Sequence, residues 1–326
     1  MTTLPVGAGT RFANPFLLVP GHDDRAIGLF RDWLPLQPDL LRLARQLLPG
    51  KSLSCDPRSG PAHKALWSEV AAGAWDRLIP PEPVMVFGSN LRGRHGRGGA
   101  LHARRYYGAE EGVGEGPTGN AYALPTKGSR LELLPLDTVL DNLDRFLAHA
   151  RANPTTTFQL TRVGCGLAGQ GPEHEAAIRE RALLAPENVL LPGIWEAARQ
   201  PDLVRVIVAG GRTFRDFDMI ERRLDWLLSR IIHQGRRIEI VSGGAKGADT
   251  GGERYAIVRG LPLRRFPALW ERYNKSAGGV RNQLMAWYST NLVAFWDGSS
   301  QGTRSMIRLA DSVNLRSRIV RLTPAS

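Results

Sequence analysis

Cysteine is almost missing from this sequence: Cys55 and Cys165 are the only two in 326 residues. They sit in different regions, so there is no disulfide framework, and a reducing cytoplasm is the simplest compartment for them. No run of about 18 apolar residues occurs, so no membrane span is expected. The first nine residues lack a basic stretch leading into an apolar one, and no signal peptide is read there. Lysine is scarce too: Lys51, Lys64, Lys127, Lys246 and Lys275 are the only five among 43 basic residues, so the formal charge of +12 is carried by arginine. The arginines are scattered rather than run together. A solvated basic surface is the simplest reading. Anionic small ligands come next, because guanidinium meets phosphate in a bidentate fork. Nucleic acid would suit the charge, but no reading helix or aromatic platform accompanies it.

What is present is glycine, 36 residues of it, and proline, 22 residues, and together they punctuate the chain. Ile79-Pro80-Pro81-Glu82-Pro83 precedes one apolar run, and Pro192-Gly193 with Pro201-Asp202 precedes another. The chain is therefore cut into three segments, 1–80, 81–200 and 201–326. In the first, helices are expected over 24–34, 39–48 and 62–72. In the second, strands are expected at 84–87, 122–124, 158–163 and 189–191. Leu136, Val139, Leu140, Leu143, Phe146 and Leu147 recur at helical spacing there and predict one core-facing helix. In the third, strands are expected near 204–208, 238–241, 261–266, 292–295 and 318–321, with helices between. Asp218 and Glu221 read as a capping box for a helix whose apolar face holds Met219, Ile220, Leu224, Leu227, Leu228 and Ile231. Such alternation predicts an α/β fold with a doubly wound, mostly parallel sheet. The tryptophans, Trp226 and Trp270 among them, read mostly as core, with Trp270 or Tyr273 open to stacking on a base.

The third segment has a glycine loop after three of its strands: Ala209-Gly210-Gly211-Arg212-Thr213, Ser242-Gly243-Gly244-Ala245-Lys246-Gly247-Ala248-Asp249, and Asp297-Gly298-Ser299-Ser300-Gln301-Gly302-Thr303. Loops at the carboxyl ends of parallel strands lead into helix N-termini, whose free amides favour phosphate, and glycine admits the ligand to the backbone. Lys246 and Arg281 are candidate charge partners. The second segment has two such loops. Gly88-Ser89-Asn90 runs on through Gly93-Arg94-His95-Gly96-Arg97-Gly98-Gly99, and Gly164-Cys165-Gly166-Leu167-Ala168-Gly169 follows a later strand.

The loop Gly243 to Asp249, the run Trp270-Glu271-Arg272-Tyr273, the pair Arg281-Asn282 and Gly302-Thr303 with Met306-Ile307 resemble the YspA-related family of the SLOG superfamily. These are Rossmann-like proteins that include the Lonely-guy phosphoribohydrolases and the DprA-type DNA-processing proteins. The resemblance implies a nucleotide-derived ligand, with Gly210, Gly211, Arg212, Gly243, Gly244, Lys246, Gly247, Asp249, Arg281, Asn282, Ser299, Gly302 and Thr303 as contacts. Lonely-guy enzymes carry a glutamate after Gly-Thr in a Pro-Gly-Gly-x-Gly-Thr-x-x-Glu pattern. Here Thr303 is followed by Arg304-Ser305-Met306-Ile307, without a carboxylate. Asp249, Glu253 and Asp297 remain as carboxylate candidates for acid or charge-stabilising chemistry at a ribose, and Asp249 reads equally as a helix N-terminal carboxylate.

Val86-Phe87-Gly88-Ser89-Asn90, the His95-Gly96 element and Thr161-Arg162-Val163-Gly164-Cys165-Gly166 resemble a phage-associated macro-like family. That resemblance implies an ADP-ribose-type ligand, with Asn90 at the distal ribose, Gly96, Gly98 and Gly99 in one phosphate loop, and Gly164, Cys165 and Gly166 in the other. His95 is a candidate general acid or base, or a phosphate donor. Cys165 is either a nucleophile or a small residue filling a tight turn. The first segment, with Asn14-Pro15-Phe16 and Gly50-Lys51-Ser52-Leu53-Ser54-Cys55, resembles a degenerate member of an uncharacterised phage-associated family. That family's Cys-x-Cys and Cys-His-Gly-Asp elements are reduced here to Cys55 and His63. One thiol and one imidazole cannot make a four-ligand zinc site, so no metal is expected. No cofactor is required by these motifs. The leading expectation is a protein that senses or sequesters a nucleotide-type ligand such as ADP-ribose, a NAD derivative or a cyclic nucleotide, placed in phage–host conflict by resemblance alone. A hydrolase of such a ligand and a nucleic-acid-processing protein are the alternatives, and homo-oligomerisation stays open.

Overall fold

The computed structural model describes residues 3–19, 25–166 and 169–322. Asp24, where the first helix was expected to begin, and Leu167 and Ala168 of the second segment's later glycine loop lie outside them. The chain forms two compact units, 81–201 and a second made of 1–80 together with 202–326. The unit boundaries fall where proline and glycine punctuate the sequence, but the residues before the first boundary pack with those after the second.

The N-terminal stretch opens with strand β1 (Thr3–Pro5), helices α1 (Ala26–Trp33) and α2 (Pro38–Leu47), strand β2 (Ser52–Ser54) and helix α3 (Gly60–Ala71). β1 and β2 form a small parallel pair. Asn14 of the Asn-Pro-Phe element is buried; its side chain accepts from the Phe16 N–H (2.9 Å) and donates to the Ala26 carbonyl (3.0 Å). The motif thus ties a short helical turn to the start of α1.

Unit 81–201 contains β3 (Val84–Asn90), α4 (Gly98–Tyr107), β4 (Gly116–Thr118), β5 (Ala121–Lys127), α5 (Leu136–Ala152), β6 (Phe158–Leu160), α6 (Pro172–Ala182), β7 (Val189–Leu190) and α7 (Gly193–Glu196). The strand order is β4-β5-β3-β6-β7, with β4 antiparallel to β5 and the other pairs parallel. β4 escaped sequence reading because three residues including Pro117 carry no alternation. The core gathers Val139, Leu143, Phe146 and Leu147 of α5 against Val86, Leu124 and Phe158, as the helical spacing predicts.

The C-terminal residues form β8 (Leu203–Gly210), α8 (Phe217–His233), β9 (Arg237–Ser242), α9 (Ala248–Val258), β10 (Leu263–Arg265), α10 (Trp270–Tyr273), α11 (Ala277–Tyr288), β11 (Asn291–Trp296), α12 (Gln301–Ser312) and β12 (Arg316–Arg321). All five strands are parallel in the order β10-β9-β8-β11-β12. This is the doubly wound Rossmann-like sheet, and its topological switch point lies between β8 and β11. Two expectations are corrected. The cap of α8 is Asp216, not Asp218: the Asp216 carboxylate accepts from the Met219 N–H (2.8 Å), which leaves Asp218 inside the first turn. Trp226 is not core but 71% exposed, because Ile220, Leu224 and Leu228 set the buried face of α8. No helix among the described residues is long and apolar enough to cross a membrane.

The N-terminal stretch also covers the edge of this sheet. Among the described residues no strand pairs with the outer side of β10. There the Trp33 indole N–H and the Gln37 amide both donate to the Leu263 carbonyl (2.9 Å each), and the Arg265 N–H donates to Gln37 Oε1 (2.8 Å). Side chains thus satisfy the edge groups that a sixth strand would otherwise take, which closes a surface prone to unwanted strand pairing.

Candidate ligand-binding site

At the switch point the carboxyl ends of β8 and β11 open into a pocket of about 450 Å³. The β8 loop supplies Gly210, Gly211, Arg212 and Thr213, the β9–α9 region Ala245 and Asp249, α11 Arg281, Asn282 and Met285, and the β11–α12 region Asp297, Ser300, Gly302, Thr303 and Met306. Loop closeness explains the glycines. A Cβ on Gly210 would strike the Phe295 carbonyl and come within 2.6 Å of the Ala248 side chain. Gly247, at φ +85°, has the Gly211 carbonyl where its Cβ would be. Two glycine loops are therefore pressed together, and the Arg212 and Thr213 N–H groups have no acceptor among the described residues. The first turn of α12 adds its own amides, since the opening N–H groups of a helix have no intrahelical partner. Ser300 caps that turn, accepting from the Thr303 hydroxyl (2.9 Å).

Of the residues expected at a nucleotide site, the fold brings Gly210, Gly211, Arg212, Asp249, Arg281, Asn282, Asp297, Gly302 and Thr303 to this pocket. Gly243, Gly244, Lys246, Gly247, Glu253 and Ser299 are not among its lining residues. Lys246 is exposed. Gly243 admits the guanidinium of Arg281, which donates to the Gly243 carbonyl, and a Cβ there would occupy the same space. Ser299 is held by Asp297, whose carboxylate accepts from the Ser299 hydroxyl (2.8 Å) and from the Ser299 and Ser300 N–H groups (2.9 Å each). Those bonds, the Ser300 amide foremost, hold the Asp297 carboxyl below its usual range. Glu253 is a structural residue. Arg265 grips its two oxygens at 2.8 and 2.6 Å, and the Ser242 hydroxyl donates to one of them at 2.8 Å.

The sequence placed neither Met285 nor Met306 among the ligand contacts, although Met306 stands in the family motif; both line the pocket and give it an apolar wall. Their signal was present: Met285 stands four residues after Arg281 on α11, and Met306 three after Thr303 on α12, so each shares a helix face with a polar site residue.

Asp249 is the most perturbed acid in the pocket. Burial pushes its pKa up to about 6, against the opposing pull of Arg281 at 3.8 Å and of the Ala245 N–H. Burial likewise lowers the pKa of the Arg281 guanidinium, with Asp249 working against it. The folded value lies above the usual 3.8, so the protonated form favours folding. That contribution is complete below about pH 4 and is lost as pH rises through about 6. Asp249→Asn should therefore unfold at higher urea than the parent at about pH 8, by about 2–3 kcal/mol. The gap should close below about pH 4, and equal stability at both pH values would refute the assignment.

Asn90 is buried, and its amide closes its own loop, donating to the Arg94 carbonyl (2.7 Å) and accepting from the Arg94 N–H (3.0 Å). Gly98 begins α4 at φ +56°, and a Cβ on Gly99 would lie 3.8 Å from the Phe87 side chain, while Gly96 and Gly166 face open space. Gly164, at φ +74°, has Ile178 where its Cβ would be. Cys165 donates to the Val163 carbonyl (3.3 Å), and burial pushes its thiol up to about 12, so it is no ready nucleophile. His95 is fully buried against Phe87. In the N-terminal stretch, Cys55 Sγ lies 3.2 Å from His63 Nδ1, and Nε2 of that ring meets the Phe12 carbonyl at 3.2 Å. Among the described residues no three His, Cys, Asp or Glu side chains are placed to hold a metal.

No curated protein matches the chain. Residues 204–273, which run from β8 through α10 and carry the first two glycine loops, match the model of the YspA, cpYpsA-related SLOG family, so this part of the chain is similar to a superfamily that binds nucleotide-derived ligands.

Proposed function

We propose that the protein binds a nucleotide-derived ligand in the pocket at β8 and β11 and holds it without rapid turnover. The observation that carries this reading is the convergence of unpaired loop amides, the first turn of α12 and the exposed Arg212 guanidinium, which has no carboxylate partner among the described residues. Phosphate suits that set, and the wall of Met285 and Met306 suits a base or sugar. ADP-ribose, a NAD derivative or a cyclic nucleotide fits this chemistry. Unit 81–201 is proposed to take ADP-ribose or a relative at its own glycine loops, and a place in phage–host conflict follows from the family resemblances of the first two segments.

Mass spectrometry of small molecules released from the heat-denatured protein tests the class of ligand; recovery of none after native purification and nucleotide soaking would overturn the reading. In calorimetry with the recovered nucleotide, Arg212→Ala should lose about 1.5–3 kcal/mol, whereas Lys246→Ala should change affinity by less than about 0.5 kcal/mol. The reverse order would move the phosphate to the β9 loop. Hydrolysis is the second reading, favoured by the raised pKa of Asp249. Chromatography of the ligand after incubation decides: release of base or ribose phosphate, abolished in Asp249→Asn, would make the protein an enzyme.

A further inference from the structure

Helix α8 has two unlike flanks. On one, Glu221 pairs with Arg254 of α9 and Asp225 with Arg259 at the end of that helix. On the other, Arg223, Trp226 and Arg230 stand three and four residues apart, which sets them along one side of the helix. Trp226 is 71% exposed, more than any other large apolar side chain among the described residues.

The topology fixes what this second flank looks over. α9 meets β10 through the Glu253–Arg265 pair, so α8, on the other side of α9, lies toward β11 and β12. Phe214, just ahead of α8, stacks on Phe295 of β11 with 5.8 Å between ring centres. In β12 the register sets Arg316 beside Asn291 and Arg318 beside Val293, and residues paired across strands share a face of the sheet. Val293 belongs to one core cluster with Ile220 and Leu224 of α8. Arg316 and Arg318 therefore stand on the α8 face, at an edge where no further strand pairs among the described residues.

Four guanidinium groups thus border one exposed indole. Arg223, Arg230, Arg316 and Arg318 are all exposed, and none has a carboxylate partner among the described residues. Gathered like charges of this kind suit a polyanion. A second copy of the chain would set arginine against arginine. A bilayer would find a single indole and no apolar face, because Ile220, Leu224 and Leu228 are already buried in the core. A nucleic-acid duplex hides its base faces, whereas a single strand offers phosphates and an open base face together.

We propose that the outer flank of α8 and the β12 edge bind single-stranded nucleic acid. Trp226 stacks on a base, and the four arginines hold the backbone phosphates on either side of it. The net charge of +12 then has a place to act, and the aromatic platform is a tryptophan that the sequence placed in the core. None of these five residues lines the switch-point pocket, so the two sites can be disabled separately.

Fluorescence anisotropy of the full chain with labelled oligo-dT and oligo-rU, each of about twelve nucleotides, is the test. Affinity should fall as salt rises from about 50 to 200 mM, with a log–log slope of about −3 for four phosphates. Trp226→Ala should weaken binding at least about fivefold and leave that slope in place. Arg223→Gln/Arg318→Gln should flatten the slope by about 1.4. Both variants change exposed side chains only, so their melting temperatures should match the parent. Binding of either oligonucleotide with this pattern supports the site, and the tighter one names the strand. No binding at low salt would overturn the proposal, and so would tighter binding of a duplex. Parental affinity in Trp226→Ala would also overturn it, leaving a plain anionic partner such as an acidic protein. A dimer in gel filtration that Trp226→Ala turns into a monomer, with no oligonucleotide bound, would give the face to a second copy instead.

Discussion

Residues 202–326 produced without the first 80 are expected to aggregate rather than fold as an isolated Rossmann-like domain. The reason is a shared core. Phe30, Trp33, Leu34, Leu40 and Leu41 lie in one buried cluster with Val204, Ile240, Leu263 and Phe295. Each large side chain in such a cluster contributes about 1.5–3 kcal/mol by burial, so losing the N-terminal group removes as much as the roughly 5–15 kcal/mol by which a domain is stable. The truncation also strips Trp33 and Gln37 from β10, leaving the Leu263 carbonyl and Arg265 N–H on an open edge. Unit 81–201 should behave oppositely, because its core is drawn wholly from its own residues. Gel filtration and thermal unfolding by circular dichroism check both fragments. A monomeric 202–326 with a cooperative melt would show that the first 80 residues are an ornament rather than part of the fold.

Breaking the Arg265–Glu253 pair is expected to be the most damaging single side-chain change in that same unit. Both side chains are 4% exposed, and the guanidinium also donates to the Ala13 carbonyl at 2.9 Å, so it joins α9, β10 and the N-terminal stretch. The Glu253 carboxylate passes the constraint on: Ser242 donates to it, and the Ser242 hydroxyl in turn accepts from the Gly244 N–H at 3.0 Å. Replacing one partner strands the other charge out of water, which costs about 3–5 kcal/mol. Glu253→Gln and Arg265→Met should each show that loss in urea unfolding. The double variant Glu253→Leu/Arg265→Met should recover much of it, since two apolar groups leave no charge unpaired. Single variants within about 1 kcal/mol of the parent would mean that water reaches the pair. A double variant worse than either single one would mean that the pair holds the fold by geometry that apolar groups cannot replace.

Much of the candidate pocket was legible because its parts repeat a local rule. Gly210-Gly211, Gly302-Thr303 and the intervening strands each announce a strand, a tight turn and a helix start, and parallel strands put all such turns on one edge. What was not legible is which turns the pocket uses. Gly243 and Gly247 look like ligand contacts in sequence, but in three dimensions their missing Cβ atoms make room for Arg281 and for the Gly211 carbonyl. Glu253 looked as available as Asp249. The step of four residues between them slightly overshoots one helical turn, and that small difference in direction sends one side chain to the pocket and the other to Arg265.

The sequence by itself determined the alternation of strands and helices and the parallel sheet of the last 120 or so residues. These follow from periodicity and from glycine and proline, which act over a few residues. Only the tertiary structure decided that the first 80 residues join the last segment. It also decided that Asn90 closes its own loop, that Cys165 is too buried to ionise readily, and that His95 is buried without a partner. Each of those depends on what lies across the fold from a residue, on burial and on long-range hydrogen bonds, and neighbours in sequence carry no record of it.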